Sequence, residues 1–482
     1  MCAFALHLAF PRADLPWLAP LALGGLFALW MSLPLRAAAW TGYLSGVVFF
    51  ALDFTWFGET AGSLIGPFAF ILDLGPALIE ATAFALAAAL ASLAAQRLHG
   101  GRRLVAVAGA FTTAEWLRSI GVLGAPMYTL GSPFAETPLR AIAAYGGGPA
   151  LTFAVALAAA AVGDLLLERT RAAALRCGAT VAAIALAAAA AWGAWPARVV
   201  PPATIRVAAV QGNIKQDLKW SAPALSLAVD RYTALTQSIA AFKPQFVLWP
   251  ETVITTRLTG EPALEGRFGA LARQLHATLA VGSIEAPSAD EYYNSLFFFG
   301  PDGTPTATYR KRQLVPFIER LPGPAWLRAL PGGNLPSNFG FGSSAAVIDP
   351  QLRIAPLICW ESAFGDLAQL QVASGARIFA IATDDAWFGT SDGPYWHAQV
   401  ASLRAVETGR WIVRAAATGI SGIIAPDGTW RARSALDTQT VVTGTVGEPQ
   451  PTVYGRIGPA PVELAVVALT LIAFFTARRR SA

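Results

Sequence analysis

The chain has 482 residues, of which 55% are hydrophobic and only 13% are charged, and its formal net charge is +5. An average soluble domain carries about 25% charged residues, whereas the mean hydropathy of this chain is +0.49. This composition excludes an ordinary soluble enzyme, a disordered protein or a nucleic-acid-binding protein as a description of the whole chain. Much of the chain is expected to lie in a lipid bilayer.

Apolar stretches of about 20 residues, the length that crosses a bilayer as a helix, recur along residues 1–200, and one more lies near the C-terminus. Residues 1–10 are also apolar but lack the basic start and the cleavage site of a signal peptide, so we expect there either a truncated first span or a chain whose true start lies upstream. The sequence therefore predicts a bundle of about eight transmembrane helices. Its seven clear spans are 17–33, 37–57, 67–93, 104–123, 142–166, 173–195 and 457–477.

Basic residues lie in every second connection between the predicted spans. Short cytoplasmic loops carry an excess of Lys and Arg, so these connections and the basic C-terminal tail are assigned to the cytoplasm. The segment between residues 195 and 457 then lies on the opposite face, which is the periplasm if the spans cross a bacterial inner membrane. The basic residues are Arg36; Arg97, Arg102 and Arg103; Arg169, Arg171 and Arg176; and Arg478 to Arg480.

Acidic residues also occur within or beside the predicted spans, at Asp53, Asp73, Glu80 and Glu115. Carboxylates are costly in hydrocarbon and mark functional sites in many membrane proteins. The simpler interpretation is that they are paired near the interfaces, as Glu115 would be with Arg118 one helical turn further on. We expect pairing to account for most of them.

Between the sixth clear span and the last one, the pattern changes to short β-rich runs separated by turn residues and helical stretches. It predicts an α/β domain over residues 204–447, inserted before the C-terminal helix at 457–477. A domain of this size can hold a core of its own. The predicted strands are 205–211, 246–251, 279–285, 294–300, 345–350, 353–361, 377–385, 421–428 and 441–446.

Three of the strand ends carry side chains capable of catalysis: Glu251, Lys311 and Cys359. The ends of strands are where an α/β fold presents its functional groups, so a carboxylate, an ammonium and a thiol could meet there. Lys311 is the most informative of the three, because the chain has 31 Arg and only 4 Lys and Lys is a compact, tunable point charge. Taken singly, Glu251 also fits a surface turn and Cys359 a buried structural thiol.

Cysteine chemistry is limited to individual residues. The three cysteines, Cys2, Cys177 and Cys359, are too few and too scattered for a disulfide framework or a zinc site. The sequence predicts no metal site and no cofactor.

The Glu, Lys and Cys set resembles the catalytic triad of the nitrilase superfamily and, with the surrounding spans, the chain resembles apolipoprotein N-acyltransferases. The resemblance implies a nitrilase-like αββα sandwich combined with a membrane helix bundle. It covers nearly the whole chain in the family's motif order. The motifs are AVQGNIKQDLKW (209–220), WPET (249–252), YNS (293–295), KRQLVPFIE (311–319), CWES (359–362), DDAWFG (384–389) and, within the spans, EWLRS (115–119).

The resemblance also implies supporting residues. Glu319 and Glu361 would orient the triad, and Asn294 lies in the YNS motif. From the sequence itself, residues 323–330 fit an apolar lid or, equally well, an ordinary loop packed on the core. The aromatic side chains that would line the acyl or peptide path are Trp220, Trp387 and Phe388. Three positions depart from the family pattern: Ile318 replaces a glycine, and Asp384 and Ala417 each replace an asparagine.

The activity that the resemblance implies is transfer of a fatty acyl chain from a membrane phospholipid, through a thioester on Cys359, to the N-terminal amino group of a diacylglyceryl-modified apolipoprotein. The expected partners are therefore the phospholipid, the apolipoprotein and the bilayer, and not nucleic acid. Three alternatives stay open at this stage: a membrane-tethered amidase that uses water, a Cys–His pair formed with His397, and a transporter or a catalytically inactive lipoprotein-binding scaffold.

Overall fold

The computed structural model describes residues 1–58, 71–121, 123–195, 202–221, 223–288, 291–316, 318–320 and 339–475. Contacts divide the chain into two compact units. The helical unit comprises Met1–Trp195, Phe388–Leu403 and Thr452–Ala482, and the α/β unit comprises Pro196–Trp387 and Arg404–Pro451.

The helical unit has one helix at each of the seven clear predicted spans. Among the described residues, four apolar segments are long enough to cross a membrane: Leu35–Asp53, Leu74–Arg97, Pro138–Glu168 and Arg171–Ala194. The chain is therefore a membrane protein. The bounds of its larger helices are α1 Cys2–His7, α2 Leu18–Ser32, α3 Leu35–Asp53, α4 Ile71–Arg97, α5 Gly100–Arg118, α6 Ala143–Glu168 and α7 Arg171–Ala194, followed after the α/β unit by α13 Val453–Ile457 and α14 Pro459–Phe475.

The predicted count of about eight spans is not confirmed. Helix α1 has only 6 residues, far fewer than a span needs. Helix α5 is 19 residues long, but it carries two arginines in its first turn and Glu115 and Arg118 in its last, which lowers its hydropathy. Helices α2 and α14 are apolar but shorter than 18 residues.

Helices α3 and α4 pack closely because α3 presents glycines at a four-residue spacing. A Cβ atom at Gly42 would lie 2.6 Å from the carbonyl oxygen of Phe84, and one at Gly46 would lie 2.9 Å from the Cα atom of Ala81. A larger side chain at either position would force the helices apart. Small residues spaced in this way are typical of close helix contacts in membranes.

Charged side chains inside the helical unit are paired, as the sequence analysis expected. The Arg118 guanidinium donates to Glu80 at 3.0 Å and to the carbonyl oxygens of Ala125 and Met127. Glu115 lies 3.9 Å from Arg118 and accepts the backbone N–H of Leu130 at 2.9 Å.

Asp53 accepts a hydrogen bond from His7 at 2.6 Å. The side chain of Asp73 lies outside the described residues.

The α/β unit is built on two sheets. The first has seven strands, in the order β12-β1-β2-β4-β5-β6 with β3 also paired to β4, and the second has five, in the order β11-β10-β9-β8-β7. The strands are β1 Ile205–Gln211, β2 Phe246–Leu248, β3 Ile254–Arg257, β4 Thr278–Glu285, β5 Tyr293–Phe299, β6 Pro305–Arg310, β7 Ile354–Ile358, β8 Ile378–Thr383, β9 Trp411–Ala416, β10 Gly422–Ile424, β11 Trp430–Arg433 and β12 Thr440–Val446.

Both faces of the first sheet are buried, which explains why its strands read as continuous apolar runs. In β1, Val207 and Ala209 belong to the core shared with the second sheet. Their neighbours Ala208 and Val210 belong to a second core. Successive side chains of a strand point to opposite faces, so a single run supplies both cores.

Helices form the outer layers of the α/β unit. Helix α9 (Ala224–Ser238) and helix α10 (Pro262–Leu275) contribute to the core on the outer face of the first sheet. In the second sheet β7, β8 and β9 are parallel, and α11 (Gly365–Ala373) lies in the crossover from β7 to β8 that parallel strands require. Helix α12 (Gly393–Thr408) lies in the crossover from β8 to β9, but most of it belongs to the helical unit. The helix-covered pair of sheets confirms the predicted αββα sandwich.

One segment inside the predicted α/β domain belongs instead to the helical unit. This segment, Phe388–Leu403, contains aromatic residues that pack on side chains of that unit. The ring centroids of Phe388 and Trp56 are 5.0 Å apart, and those of Trp396 and Tyr128 are 5.3 Å apart. Sequence position alone does not reveal such contacts, because the partners are more than 250 residues apart in the chain.

Candidate active site

Each member of the predicted triad follows a strand of the α/β unit. Glu251 lies just beyond β2, Lys311 directly after β6, and Cys359 directly after β7, where a short 3-10 helix begins. Cys359 has a φ of 49°, a left-handed conformation that is uncommon outside glycine. The chain thus turns sharply at the thiol, and such backbone conformations are typical of functional sites.

Lys311 lies between two carboxylates. Its Nζ atom donates to Glu251 Oε1 at 2.9 Å and to Glu319 Oε1 at 3.0 Å. The Lys311 side chain is 1% exposed, so solvent does not screen these contacts. Although burial alone would lower it, the pKa of Lys311 is raised well above its ordinary value by the charges of Glu251 and Glu319. Lys311 therefore remains an ammonium.

Asn294 joins the same two carboxylates on a second side. Its Nδ2 atom donates to Glu251 Oε1 at 2.6 Å and to Glu319 Oε1 at 2.9 Å. The backbone N–H of Val315 donates to the other oxygen of Glu319 at 2.8 Å. These contacts fix the orientation of both carboxylates. The structure thus brings together Glu251, Lys311, Glu319 and Asn294, all of which the sequence analysis named.

Glu251 is held at its other oxygen by the chain after β8. The backbone N–H of Asp384 donates to Glu251 Oε2 at 2.9 Å. Burial favours the neutral form of Glu251, but the ammonium groups of Lys311 and Lys219 outweigh it and lower the pKa of Glu251 below its ordinary value. Glu251 is therefore an ionised carboxylate, the form that can accept a proton.

Cys359 is half-buried and packs against the core between the sheets. Burial raises the pKa of its thiol well above the ordinary value; the Glu251 carboxylate raises it further, and the Lys311 ammonium opposes both. The thiol also forms a hydrogen bond with Thr383. Like the Lys311 ammonium, this hydrogen bond lowers the pKa, but burial and the Glu251 carboxylate outweigh both. Cys359 is therefore protonated at neutral pH and needs a base at the moment it acts as a nucleophile.

Glu361 organises the backbone beside Cys359. It accepts the N–H of Ile358 at 2.7 Å and the N–H of Arg312 at 2.6 Å, and it accepts the Tyr309 hydroxyl at 3.0 Å. Glu361 thereby ties the end of β6 to the end of β7. Burial raises the pKa of Glu361 to about 7. The carboxylate orients the residues on either side of the site through their main chain.

The predicted aromatic residues occupy different settings. Trp220 is 53% exposed and Trp387 is half-buried. Phe388 is buried in the helical unit, where its ring lies 5.7 Å from that of His397. His397 is 1% exposed and stacks on Trp396, as expected for a packed structural histidine. The predicted lid at residues 323–330 lies outside the described residues.

A second buried lysine, Lys219, was not predicted from the sequence. The ammonium of Lys219 forms an ion pair with the Asp384 carboxylate and lies 3.5 Å from the carbonyl oxygen of Glu251. Lys219 and Asp384 are 4% and 1% exposed. The argument from the rarity of lysine applies to Lys219 as much as to Lys311. In the structure the other two lysines, Lys215 and Lys243, are exposed. Asp384 is also one of the three departures from the family pattern.

The positive charge at this site comes from a side chain. The cation that neutralises the carboxylates is Lys311, which contacts both of them directly. The chemistry that the arrangement supports is therefore covalent catalysis by a thiol with a carboxylate as base.

Two family models match the chain. One, described as carbon-nitrogen hydrolase, matches residues 206–448, and the other, described as apolipoprotein N-acyltransferase N-terminal domain, matches residues 2–161. Among solved structures, an amidase of the nitrilase superfamily from Nesterenkonia AN1 covers 55% of this chain and 99% of its own, at 16% identity and a TM-score of 0.42.

Curated relatives match over almost the whole chain. The apolipoprotein N-acyltransferase of Azotobacter vinelandii is 34% identical, over 100% of this chain and 95% of its own length. That of Chromobacterium violaceum is 33% identical, over 99% of this chain and 93% of its own. These matches confirm the resemblance inferred from the motifs. The chain belongs to the apolipoprotein N-acyltransferase family.

Proposed function

We propose that this protein transfers a fatty acyl chain from a phospholipid to the N-terminal amino group of a diacylglyceryl-modified apolipoprotein, with Cys359 as nucleophile, Glu251 as base and Lys311 as electrostatic stabiliser. The observation that carries the assignment is that the Lys311 ammonium bridges Glu251 and Glu319 at 2.9 and 3.0 Å. The charges of Glu251 and Lys311 in turn shift the pKa of the Cys359 thiol, in opposite directions. The substrates are those that the family name implies.

In the first half-reaction, Glu251 takes the thiol proton as Cys359 Sγ attacks the ester carbonyl carbon of the phospholipid. The new S–C bond gives a tetrahedral oxyanion, which Lys311 and a backbone N–H near the nucleophile stabilise. The C–O bond to the glycerol then breaks, and Glu251 returns the proton to the departing oxygen. The lysophospholipid leaves, and the acyl chain remains as a thioester.

In the second half-reaction, the neutral amino group of the apolipoprotein attacks the thioester carbonyl. Glu251 takes a proton from the attacking nitrogen and passes it to the sulfur as the C–S bond breaks. The products are an amide and the free thiol, so the enzyme returns to its starting state. A shared site used twice in this way gives ping-pong kinetics.

The supporting residues act on the base and the cation. Asn294 and the Asp384 N–H hold the Glu251 carboxylate at both oxygens, and Glu319 fixes Lys311 from the opposite side. Trp220 and Trp387 are assigned to the substrate path from the family pattern. We also place the protein in a bacterial inner membrane with residues 204–447 in the periplasm, because the basic connections favour that orientation.

The test is mass spectrometry of the purified full-length protein after incubation with phosphatidylethanolamine carrying an isotopically labelled acyl chain. We expect an acyl adduct on Cys359 that disappears, with formation of the amide, when a diacylglyceryl lipopeptide is added. Cys359→Ala should abolish the adduct, and the matched variants Cys2→Ala and Cys177→Ala should retain it.

Other outcomes would contradict the proposal. Release of labelled fatty acid without amide formation would indicate an amidase that uses water. A correctly folded protein that forms no adduct would indicate a lipoprotein-binding scaffold, and an adduct that persists in Cys359→Ala would refute the assignment of the nucleophile.

A further inference from the structure

The helical unit contains a cleft that the proposed reaction does not use. It has a volume of about 430 Å³ and is lined by Arg36, Ala39, Trp40 and Tyr43 of α3 and by Ala85 of α4. Its volume lies in the range of small-molecule sites, roughly 300 to 1,000 Å³. None of the residues proposed to act in acyl transfer lines it.

The cleft follows from the way α3 and α4 pack. The four lining residues of α3 occupy positions i, i+3, i+4 and i+7 and therefore share one face of the helix. Ala39 and Ala85 are small and leave space between the helices. Trp40 and Tyr43 stand beside this space, with ring centroids 6.1 Å apart in an edge-to-face arrangement.

The polar end of the cleft carries a positive charge. Arg36 is exposed and lies in the first turn of α3, and among the described residues it has no ion-pair or hydrogen-bond partner. A cation is unfavourable at a helix N-terminus, whose partial charge is itself positive. The N-cap residue Pro34 provides no side-chain hydrogen bond to this turn. The arrangement is therefore complementary to an anion.

The remainder of the cleft is suited to a lipid. Trp40 is 67% exposed on a helix long and apolar enough to cross a membrane. Tryptophan and tyrosine are enriched at the level of the lipid headgroups, where one end of the ring system is apolar and the other is hydrated. Basic pockets between membrane helices are known to bind acidic headgroups.

We propose that this cleft binds an anionic phospholipid, with its phosphate at the Arg36 guanidinium and the first turn of α3, and with an acyl chain along Trp40, Tyr43 and Ala85. The net negative charge of the headgroup is the recognised feature. A phosphatidylethanolamine headgroup brings an ammonium next to Arg36, so it binds more weakly than phosphatidylglycerol with the same acyl chains. This site is separate from the proposed acyl transfer and does not depend on it.

The experiment is native mass spectrometry of the full-length protein titrated with phosphatidylglycerol and, in parallel, with phosphatidylethanolamine of identical chains. We expect tighter binding of phosphatidylglycerol, and Arg36→Gln should weaken it about fivefold, the effect of one basic residue near an anionic headgroup. The matched control is Arg97→Gln, which removes another exposed arginine of the helical unit that does not line the cleft. It should bind like the wild type.

Several results would overturn the proposal. Equal affinities for the two lipids would exclude headgroup recognition, and equal losses in Arg36→Gln and Arg97→Gln would indicate general charge attraction only. Displacement of the lipid by glycerol phosphate at comparable concentration would identify a soluble phosphate ester as the ligand. Thermal unfolding without added lipid checks the fold of Arg36→Gln, whose midpoint should match the wild type because Arg36 is exposed.

Discussion

Lys311 carries its charge between two carboxylates, and this arrangement determines how the site can ionise. Glu251 and Glu319 hold the ammonium from two directions, while Asn294 contacts both carboxylates. The pKa of Glu251 is lowered and that of Cys359 is raised. At neutral pH the resting site therefore holds an ionised base, an ammonium and a protonated thiol.

Lys311→Arg should be nearly as damaging as Lys311→Ala, although both Lys and Arg are cations. A planar guanidinium is larger and directs its donors differently from an ammonium, and Lys311 is fully enclosed. Losing one oxyanion donor costs about 10² to 10³ in rate, and a misplaced charge should cost at least as much in labelled-phospholipid transfer. The matched control is Lys243→Arg at an exposed position, which should be neutral. Near-normal transfer by Lys311→Arg would refute the proposed role.

The pH dependence of the first half-reaction follows from the pKa values of Glu251 and Cys359. Glu251 stays ionised well into the acid range because its pKa lies below the ordinary value of 4.5, and Cys359 stays protonated beyond neutrality because its pKa lies well above 9.0. We expect no tenfold-per-unit change in kcat/KM between about pH 6 and pH 8, where protonation of Glu361, whose pKa is about 7, produces only a shallow decrease toward acid. The steep fall comes below this range, as Glu251 becomes protonated. A rate that rises tenfold per pH unit would instead indicate a free thiolate that attacks without a base.

The site depends on two joints, by which we mean side-chain contacts that hold a strand to a neighbouring strand or short helix. The ion pair of Lys219 and Asp384 joins α8 (Gln216–Lys219) to the end of β8. Glu361 joins the ends of β6 and β7. Because Asp384 also donates its N–H to Glu251, the first joint positions the proposed base.

Lys219→Met should destabilise the protein by roughly 3 to 5 kcal/mol, because it leaves the buried carboxylate of Asp384 without its cation. Thermal unfolding in detergent measures the effect, and Lys215→Met, at an exposed position of the same segment, is the control. Adding Asp384→Asn to Lys219→Met should restore much of the lost stability, because the neutral amide needs no counter-charge. If Lys219→Met unfolds at the same temperature as the control, the pair does not stabilise the joint.

The contact between α3 and α4 offers a second test of how contacts between elements stabilise the protein. In Gly42→Ala the new Cβ would lie 2.4 Å from the Cβ of Ala88 and 2.6 Å from a backbone oxygen of α4, so we expect a loss of about 1 to 3 kcal/mol from overpacking. Gly178→Ala in α7 meets no atom within 4 Å in the described part of the chain. It should be neutral or slightly stabilising. Equal unfolding midpoints for the two variants would contradict the close packing.

At the scale of the whole molecule, the chain combines a membrane helix bundle with an αββα domain, each with its own core. The charge distribution separates them, since residues 1–200 hold 11 of the 31 arginines and none of the 4 lysines. The apolar unit is matched to lipid, and the proposed reaction takes place between two lipid-anchored substrates. This combination explains why a domain of the carbon-nitrogen hydrolase family is joined to membrane spans.

The proposed orientation can be tested with a membrane-impermeant maleimide. In a background without native cysteines, Asp302→Cys should be labelled in intact spheroplasts, because its position is exposed and lies in the domain proposed to be periplasmic. A cysteine added after Ala482 should be labelled only after lysis, because the basic tail is assigned to the cytoplasm. Labelling of both positions in intact spheroplasts would refute the topology.

Features that depend on local pattern could be predicted from the amino-acid sequence. Hydropathy located the helices of the bundle, alternating apolar and turn residues located the α/β domain, and motif order identified the family. Glu251 and Cys359 could be named because each lies at the end of a predicted strand, and Lys311 because lysine is rare in this chain. The strand that precedes Lys311, β6, is not among the predicted ones. These inferences need only neighbours along the chain.

Which residues meet across long distances in the sequence depends on the three-dimensional fold. Lys219 and Asp384 are 165 positions apart, and no local pattern pairs them. Asn294, in β5, bridges Glu251 and Glu319 because the fold brings the segments that follow β2 and β6 to the start of β5. Phe388 belongs to the helical unit, where its ring packs on that of Trp56. Burial and neighbouring charges together set the protonation of the site, since the pKa shifts of Glu251, Lys311 and Cys359 arise from desolvation and from charges that only the fold brings close.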